Sequence, residues 1–198
     1  MFDIPSYALI INNINNNILI LFTLFEKKGI NAFVLSTGID KLFNSILSQQ
    51  PEIDTQKILQ DLHIQINNLF PAEAVYSILS HIDLKNKTLK YSGNGLPMFI
   101  YRNHKMVEIY HKDNQTNKFE SHKLALNNDD IIYLLCDGFI NPDNYKNDEF
   151  VSAGMIEILK KHADIDFSNQ KKEFDTFFHN SKEDLRQQND MLVIGIKI

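Results

Sequence analysis

The chain has 198 residues, 43% hydrophobic and 23% charged, the profile of a soluble globular protein of one large domain or two very small ones. Its formal net charge is −5, and no basic run exceeds the pairs Lys27-Lys28, Lys160-Lys161 and Lys171-Lys172, which argues against a nucleic-acid-binding surface. The single cysteine, Cys136, excludes an internal disulfide framework and a cysteine zinc site, and inside an apolar run it reads as a core residue.

No basic region followed by an apolar one marks the N-terminus as a secretion signal. The best apolar run, Ile18–Leu24, is strand-sized rather than membrane-sized, so the expectation is a cytoplasmic protein with no membrane partner.

Tyr7–Ile11 and Ile18–Leu24 predict a β-hairpin around the asparagine-rich stretch Asn12–Asn17. After Gly29, the residues Ile30, Phe33, Val34, Ile39, Leu42, Phe43, Ile46 and Leu47 recur at three and four, predicting a helix with one buried face that Gly38 interrupts. Pro51 ends it, Asp54 reads as the N-cap of another, and Ile58, Leu62, Ile66 and Leu69 keep helical spacing up to Pro71.

The pattern then changes to strands: Ala74–Ile82 and Thr88–Tyr91 about a turn, a bend at Gly93–Pro97, then Met98–Arg102 and Met106–Tyr110. A polar loop over His111–Glu120 precedes strands at Ser121–Leu126 and Ile131–Cys136. Ser152–His162 and Phe167–His179 read as helices, the second with Phe174, Phe177 and Phe178 on one side, and Met191–Ile198 as a last strand.

Strands gathered in runs argue against a doubly wound parallel sheet and predict an α+β fold: two antiparallel sheets packed as a sandwich, flanked by helices, in one domain over residues 1–198. The segment with most chemistry is Asp129–Asp143. A turn of two acids, Asp129 and Asp130, leads into the apolar run Ile131–Cys136, which stops at Asp137-Gly138. A carboxylate at the exit of a buried strand suits a hard divalent cation; the other reading of Asp137 is a turn residue. The histidines His81, His104 and His111 form no pair at metal-ligand spacing and read as surface or core residues.

Three segments carry a resemblance: "LKYSGNGLPMFIYR" ending at Arg102, "DDIIYLLCDGFINPD" over Asp129–Asp143, and "NDMLVIGIKI" over Asn189–Ile198. Their order and spacing resemble the metal-dependent protein phosphatases (PPM family), most closely the bacterial branch typified by stage II sporulation protein E. The resemblance implies two Mg²⁺ or Mn²⁺ ions held by carboxylates, activating a water that attacks a phosphoserine or phosphothreonine.

Residue by residue, Asp137 matches the aspartate of the family's Asp-Gly motif, followed by Gly138. In the final Asp-Asp motif the usual ligand position is Asn189, and Asp190 matches the second acid. A one-residue shift would admit Asp190 but turn its neighbours to the wrong faces. Upstream, Gly29 matches the last glycine of the motif before the first helix, which leaves Leu24 where the bridging aspartate belongs. Glu26 is the nearest carboxylate, beside Lys27 and Lys28, which repel a cation.

The resemblance therefore implies a pseudophosphatase of weak or no activity that binds a protein partner, a phosphoprotein or a sigma-factor-type regulator. Two other readings stand beside it. One is an active Mn²⁺- or Mg²⁺-dependent Ser/Thr phosphatase using Asp137, Asp190, Glu26 and Asp143. The other is an oligomerisation scaffold without catalysis.

Overall fold

The computed structural model of the protein describes residues 7–25, 30–71, 74–109, 119–135, 153–181 and 192–198. In chain order the elements are β1 (Tyr7–Ile14), β2 (Asn17–Phe25), α1 (Ile30–Ser48), α2 (Thr55–Leu69), β3 (Val75–Asp83), β4 (Thr88–Asn94) and β5 (Met98–Arg102). They continue with β6 (Lys105–Ile109), β7 (His122–Ala125), β8 (Ile131–Leu135), α3 (Ala153–His162), α4 (Phe167–Ser181) and β9 (Val193–Lys197). The α+β expectation holds: two antiparallel sheets and four helices. Among the described residues no helix is long and apolar enough to cross a membrane.

The elements divide into two units. The first holds a five-stranded sheet in the order β1-β2-β3-β4-β7, with α1 and α2. Its opening hairpin turns on Asn15 and Asn16, with φ of 49° and 64°. A two-residue turn of that hand matches the twist of the flanking strands, and asparagine tolerates positive φ better than other residues with a Cβ. The turn sets a register without bulges, from Ile14 opposite Asn17 to Tyr7 opposite Leu24.

Along β2 and β3 alternate side chains face α1 and α2. Leu19, Leu21, Phe25, Val75 and Leu79 form one core with Leu35, Ile39, Phe43 and Ile46 of α1 and Ile58, Leu59, Leu62 and Ile66 of α2. Ile20, Phe22, Ile78 and Ile82, on the opposite face, are equally buried. These strands are therefore buried on both sides, which accounts for their continuous apolar runs.

The helices correct the sequence reading in three places. α1 runs through Gly38 unbroken; a Cβ there would meet no atom within 4 Å, so the glycine costs helix propensity but no packing. Phe33 and Val34 are about half exposed, and the buried face is instead Leu35, Ile39, Phe43 and Ile46. Leu69, at the end of α2, is also exposed. Apolar spacing fixes a stripe, but it does not tell which edge of a wide stripe turns to the core. Asp54 does cap α2, its Oδ1 accepting from the Lys57 backbone N–H at 3.1 Å.

The second unit holds a four-stranded sheet in the order β6-β5-β8-β9, with α3 and α4. Its β5–β6 hairpin repeats the device of the first, with Asn103 and His104 at φ of 50° and 59°. All five residues of β8 are buried, and the apolar run read from sequence is one of the sheet's two inner strands, between β5 and β9. Of the phenylalanines expected on one side of α4, Phe174 is partly buried. The side chains of Phe177 and Phe178 lie outside the described residues, as do Cys136, Tyr110, His111 and Met191.

Candidate functional site

The exit of β2 is the part of the candidate site that the described residues contain. On the face toward α2, Thr23, Ser77 and Asn94 stand opposite one another on β2, β3 and β4. Ser77 Oγ donates to Thr23 Oγ1 at 3.2 Å, and Asn94 Oδ1 accepts from the Ser77 backbone N–H at 2.7 Å. Asn94 Nδ2 donates in turn to the Val75 carbonyl at 3.3 Å. From α2, His63 Nε2 lies 3.0 Å from Ser77 Oγ, with its ring edge-on to Phe119 at a centroid distance of 4.7 Å.

The hydroxyl proton of Ser77 goes to Thr23, so His63 donates from Nε2 and is the Nε2–H tautomer. Burial pushes its pKa down to about 4, and the ring is neutral at physiological pH. The cluster is a closed network of neutral groups. It holds the sheet to the helix and leaves no reactive group open to solvent.

Leu24 lies on the opposite face, between Tyr7 and Tyr76 in register, and is 5% exposed. The bend after β4 follows closely. A Cβ on Gly93 would stand 2.9 Å from the Ser77 carbonyl oxygen, and Gly95, at φ 66°, lies against the ring of Tyr76. The glycines of Ser92–Pro97 thus let the backbone approach β3 so that Asn94 can bond it. In contrast to the sequence reading, Gly93 and Asn94 belong to the strand and only the residues after them bend.

Of the residues singled out from sequence, Leu24 is described; Glu26, Gly29, Asp137, Gly138, Asp143, Asn189 and Asp190 lie outside the described residues. β8 is described to Leu135, two positions before Asp137 in the chain, and β9 from Val193, three positions after Asp190. Among the described residues no group of three or more His, Cys, Asp or Glu is placed to hold a metal ion. The described end of β2 does not fit the divalent ion that the resemblance implies. Leu24 and Phe25 are apolar and buried, the Thr23 hydroxyl is engaged by Ser77, and a hard cation needs carboxylate charge.

Sequence reasoning missed the role of Asp130. It read Asp129 and Asp130 alike as a turn, yet Asp129 is exposed at φ 65° and Asp130 is 1% exposed. Arg102 Nε and Nη2 donate to the two Asp130 oxygens at 2.9 and 2.6 Å, and the Asn127 backbone N–H donates at 2.7 Å. This forked pair joins the end of β5 to the start of β8. Arg102 ends the "MFIYR" strand and Asp130 precedes an apolar run, but the strand pairing that brings them together is not a local sequence signal.

A second polar cluster lies deeper in this unit. Tyr133 Oη donates to Gln170 Oε1 at 3.1 Å, and Gln170 Nε2 donates to the Ile165 carbonyl at 2.9 Å, fastening the α3–α4 turn to the sheet. Burial raises the Tyr133 pKa to about 12, so this phenol stays a donor. In the first unit, an apolar groove of about 300 Å³ runs along α1 to the end of α2, lined by Val34, Leu35, Gly38, Lys41, Leu42, Leu69 and Phe70.

Two antiparallel sheets, each with its own helix pair, are the fold of PP2C-type phosphatase domains. The SiaA-PP2C domain of Pseudomonas aeruginosa shares it at a TM-score of 0.83, with 14% identity over 98% of this chain and 81% of that one. The phosphatase domain of SpoIIE from Bacillus subtilis matches at 0.63, with 16% identity over 98% and 85% of the two chains. RsbX, solved in complex with magnesium, matches at 0.65, with 12% identity over 97% and 86%.

The family described as Stage II sporulation protein E (SpoIIE) matches residues 28–198, and the chain belongs to that family. No curated protein matches it at a significant level.

Proposed function

We propose that this SpoIIE-family domain, one domain over residues 1–198, is a pseudophosphatase that acts in the cytoplasm by binding a regulatory protein. The partner is a phosphoprotein or a regulator of the sigma-factor type. One observation carries the reading. At the exit of β2, where the family resemblance calls for a bridging aspartate, the chain has Leu24, buried and followed by the buried Phe25. Asn189 replaces a second expected carboxylate. Affinity for a hard divalent cation depends on ligand charge count, so a set reduced to Asp137, with Asp190 and Glu26 off their expected positions, binds Mn²⁺ or Mg²⁺ weakly or not at all.

The survival of Asp137-Gly138 favours a second reading, an active Mn²⁺- or Mg²⁺-dependent Ser/Thr phosphatase. Hydrolysis of p-nitrophenyl phosphate separates the two, followed together with thermal stability during a Mn²⁺ titration. The pseudophosphatase gives a flat response in both. A Mn²⁺-dependent rate that Asp137→Ala abolishes would establish the enzyme instead.

A further inference from the structure

Among the described residues four strands form the edges of the two sheets: β1 and β7 in one, β6 and β9 in the other. An open edge is a row of unpaired backbone donors and acceptors, and proteins commonly protect such rows with charged residues. Three of the four are protected in this way. β7 carries Lys123, β6 carries Lys105 and Glu108, and β9 ends on Lys197. β1 reads Tyr-Ala-Leu-Ile-Ile-Asn-Asn-Ile, with no charge, no proline and no bulge.

The register identifies which groups of β1 are open. The two-residue turn makes Ile14 and Asn17 a hydrogen-bonded pair, and bonded and non-bonded pairs alternate from there. Ile14, Asn12, Ile10 and Ala8 therefore bond to β2. The N–H and C=O groups of Asn13, Ile11, Leu9 and Tyr7 point away from it, and among the described residues no strand pairs with them. The Ile11 side chain is 55% exposed beside this row.

We propose that β1 is a homodimerisation strand. Two copies pair their β1 strands antiparallel and join two five-stranded sheets into one continuous sheet. One register uses every open group: Leu9 opposite the partner's Ile11, and Tyr7 opposite the partner's Asn13. The two-fold axis then passes beside Ile10. A second copy is the occupant that this edge fits. An uncharged strand meets its own copy without like-charge opposition in any register, and the open residues form a set that is its own complement. The net charge of −5 per chain lies wholly outside the strand.

Sedimentation velocity across a concentration series, with backbone amide exchange, tests the proposal on the full chain. The expected result is a concentration-dependent dimer in which the Leu9, Ile11 and Asn13 amides gain protection as the dimer forms. Ile11→Lys places a charge beside the axis and weakens association by at least about tenfold, as lysines on edge strands do. Ile11→Pro removes an outward N–H that β2 does not use, and has the same effect without adding charge. Val107→Lys, at an exposed position on β6, leaves the dimer intact.

A monomer at every concentration overturns the proposal. So does a dimer that survives both Ile11 variants, or one whose β1 amides exchange as fast as in the monomer.

Discussion

The buried His63 makes stability depend on pH in a way that can be isolated. Its folded-state pKa, about 4, lies below the ordinary value of 6.5 because burial disfavours the charged ring. A depressed folded pKa contributes stability that is fully present above 6.5, where the ring is neutral in both states. As pH falls from 6.5 toward 4, the unfolded chain takes up a proton that the folded chain refuses, and stability drops by about 1.4 kcal/mol per pH unit. Below 4 the loss is complete, at about 3 kcal/mol.

His63→Gln keeps an N–H donor for Ser77 and has no titratable group. It gives up the edge-on contact with Phe119, worth about 1 kcal/mol at neutral pH. Urea denaturation of both proteins at pH 7, 6, 5 and 4.5 yields the two stability profiles. The difference between them should shrink as pH falls and reverse in sign at about pH 6, where the lost stability reaches about 1 kcal/mol. Parallel profiles would refute the assignment of a neutral, buried His63 and the hydrogen-bond network built on it.

Breaking the Arg102–Asp130 fork with Asp130→Ala should destabilise the protein by about 3 kcal/mol in chemical denaturation, the low end for a buried pair because Arg102 keeps some solvent contact. Replacing both partners with apolar residues should cost less than that single change. Gly93→Ala should lower stability by about 1–3 kcal/mol, since the new Cβ meets the Ser77 carbonyl, whereas Gly38→Ala should raise it by about 0.5–1 kcal/mol. Thermal melts of the two glycine variants, shifted in opposite directions, check both. Asp54→Ala should cost about 1 kcal/mol through loss of the α2 cap.

Much of the fold was legible because its elements are written in local signals. The Asn15-Asn16 turn, the Asp54 cap and the buried run of β8 need only neighbours a few residues away. What the sequence hid depends on distant chain. Val34 and Leu35 are both apolar, and only the packing of α1 against β1 and α2 turns Leu35 inward and leaves Val34 exposed. Asp129 and Asp130 are adjacent and identical, yet Arg102, brought over by the β5–β8 pairing, separates a surface turn from a buried ion pair. His63 was passed over among the apolar residues of α2, since its partners Ser77 and Phe119 come from other elements. At the site itself, the family pattern located Leu24 as the anomaly. The described structure adds that Leu24 is buried and that, among the described residues, its strand neighbours Tyr7, Thr23, Phe25 and Tyr76 offer no carboxylate in its place.

The claim that this SpoIIE-family domain lacks a catalytic metal pair is tested most directly by isothermal titration calorimetry of the full chain with Mn²⁺. The expected result is no binding tighter than about 1 mM, as for a site that has lost most of its ligand charge. Two-site micromolar binding that Asp137→Ala removes would contradict the claim.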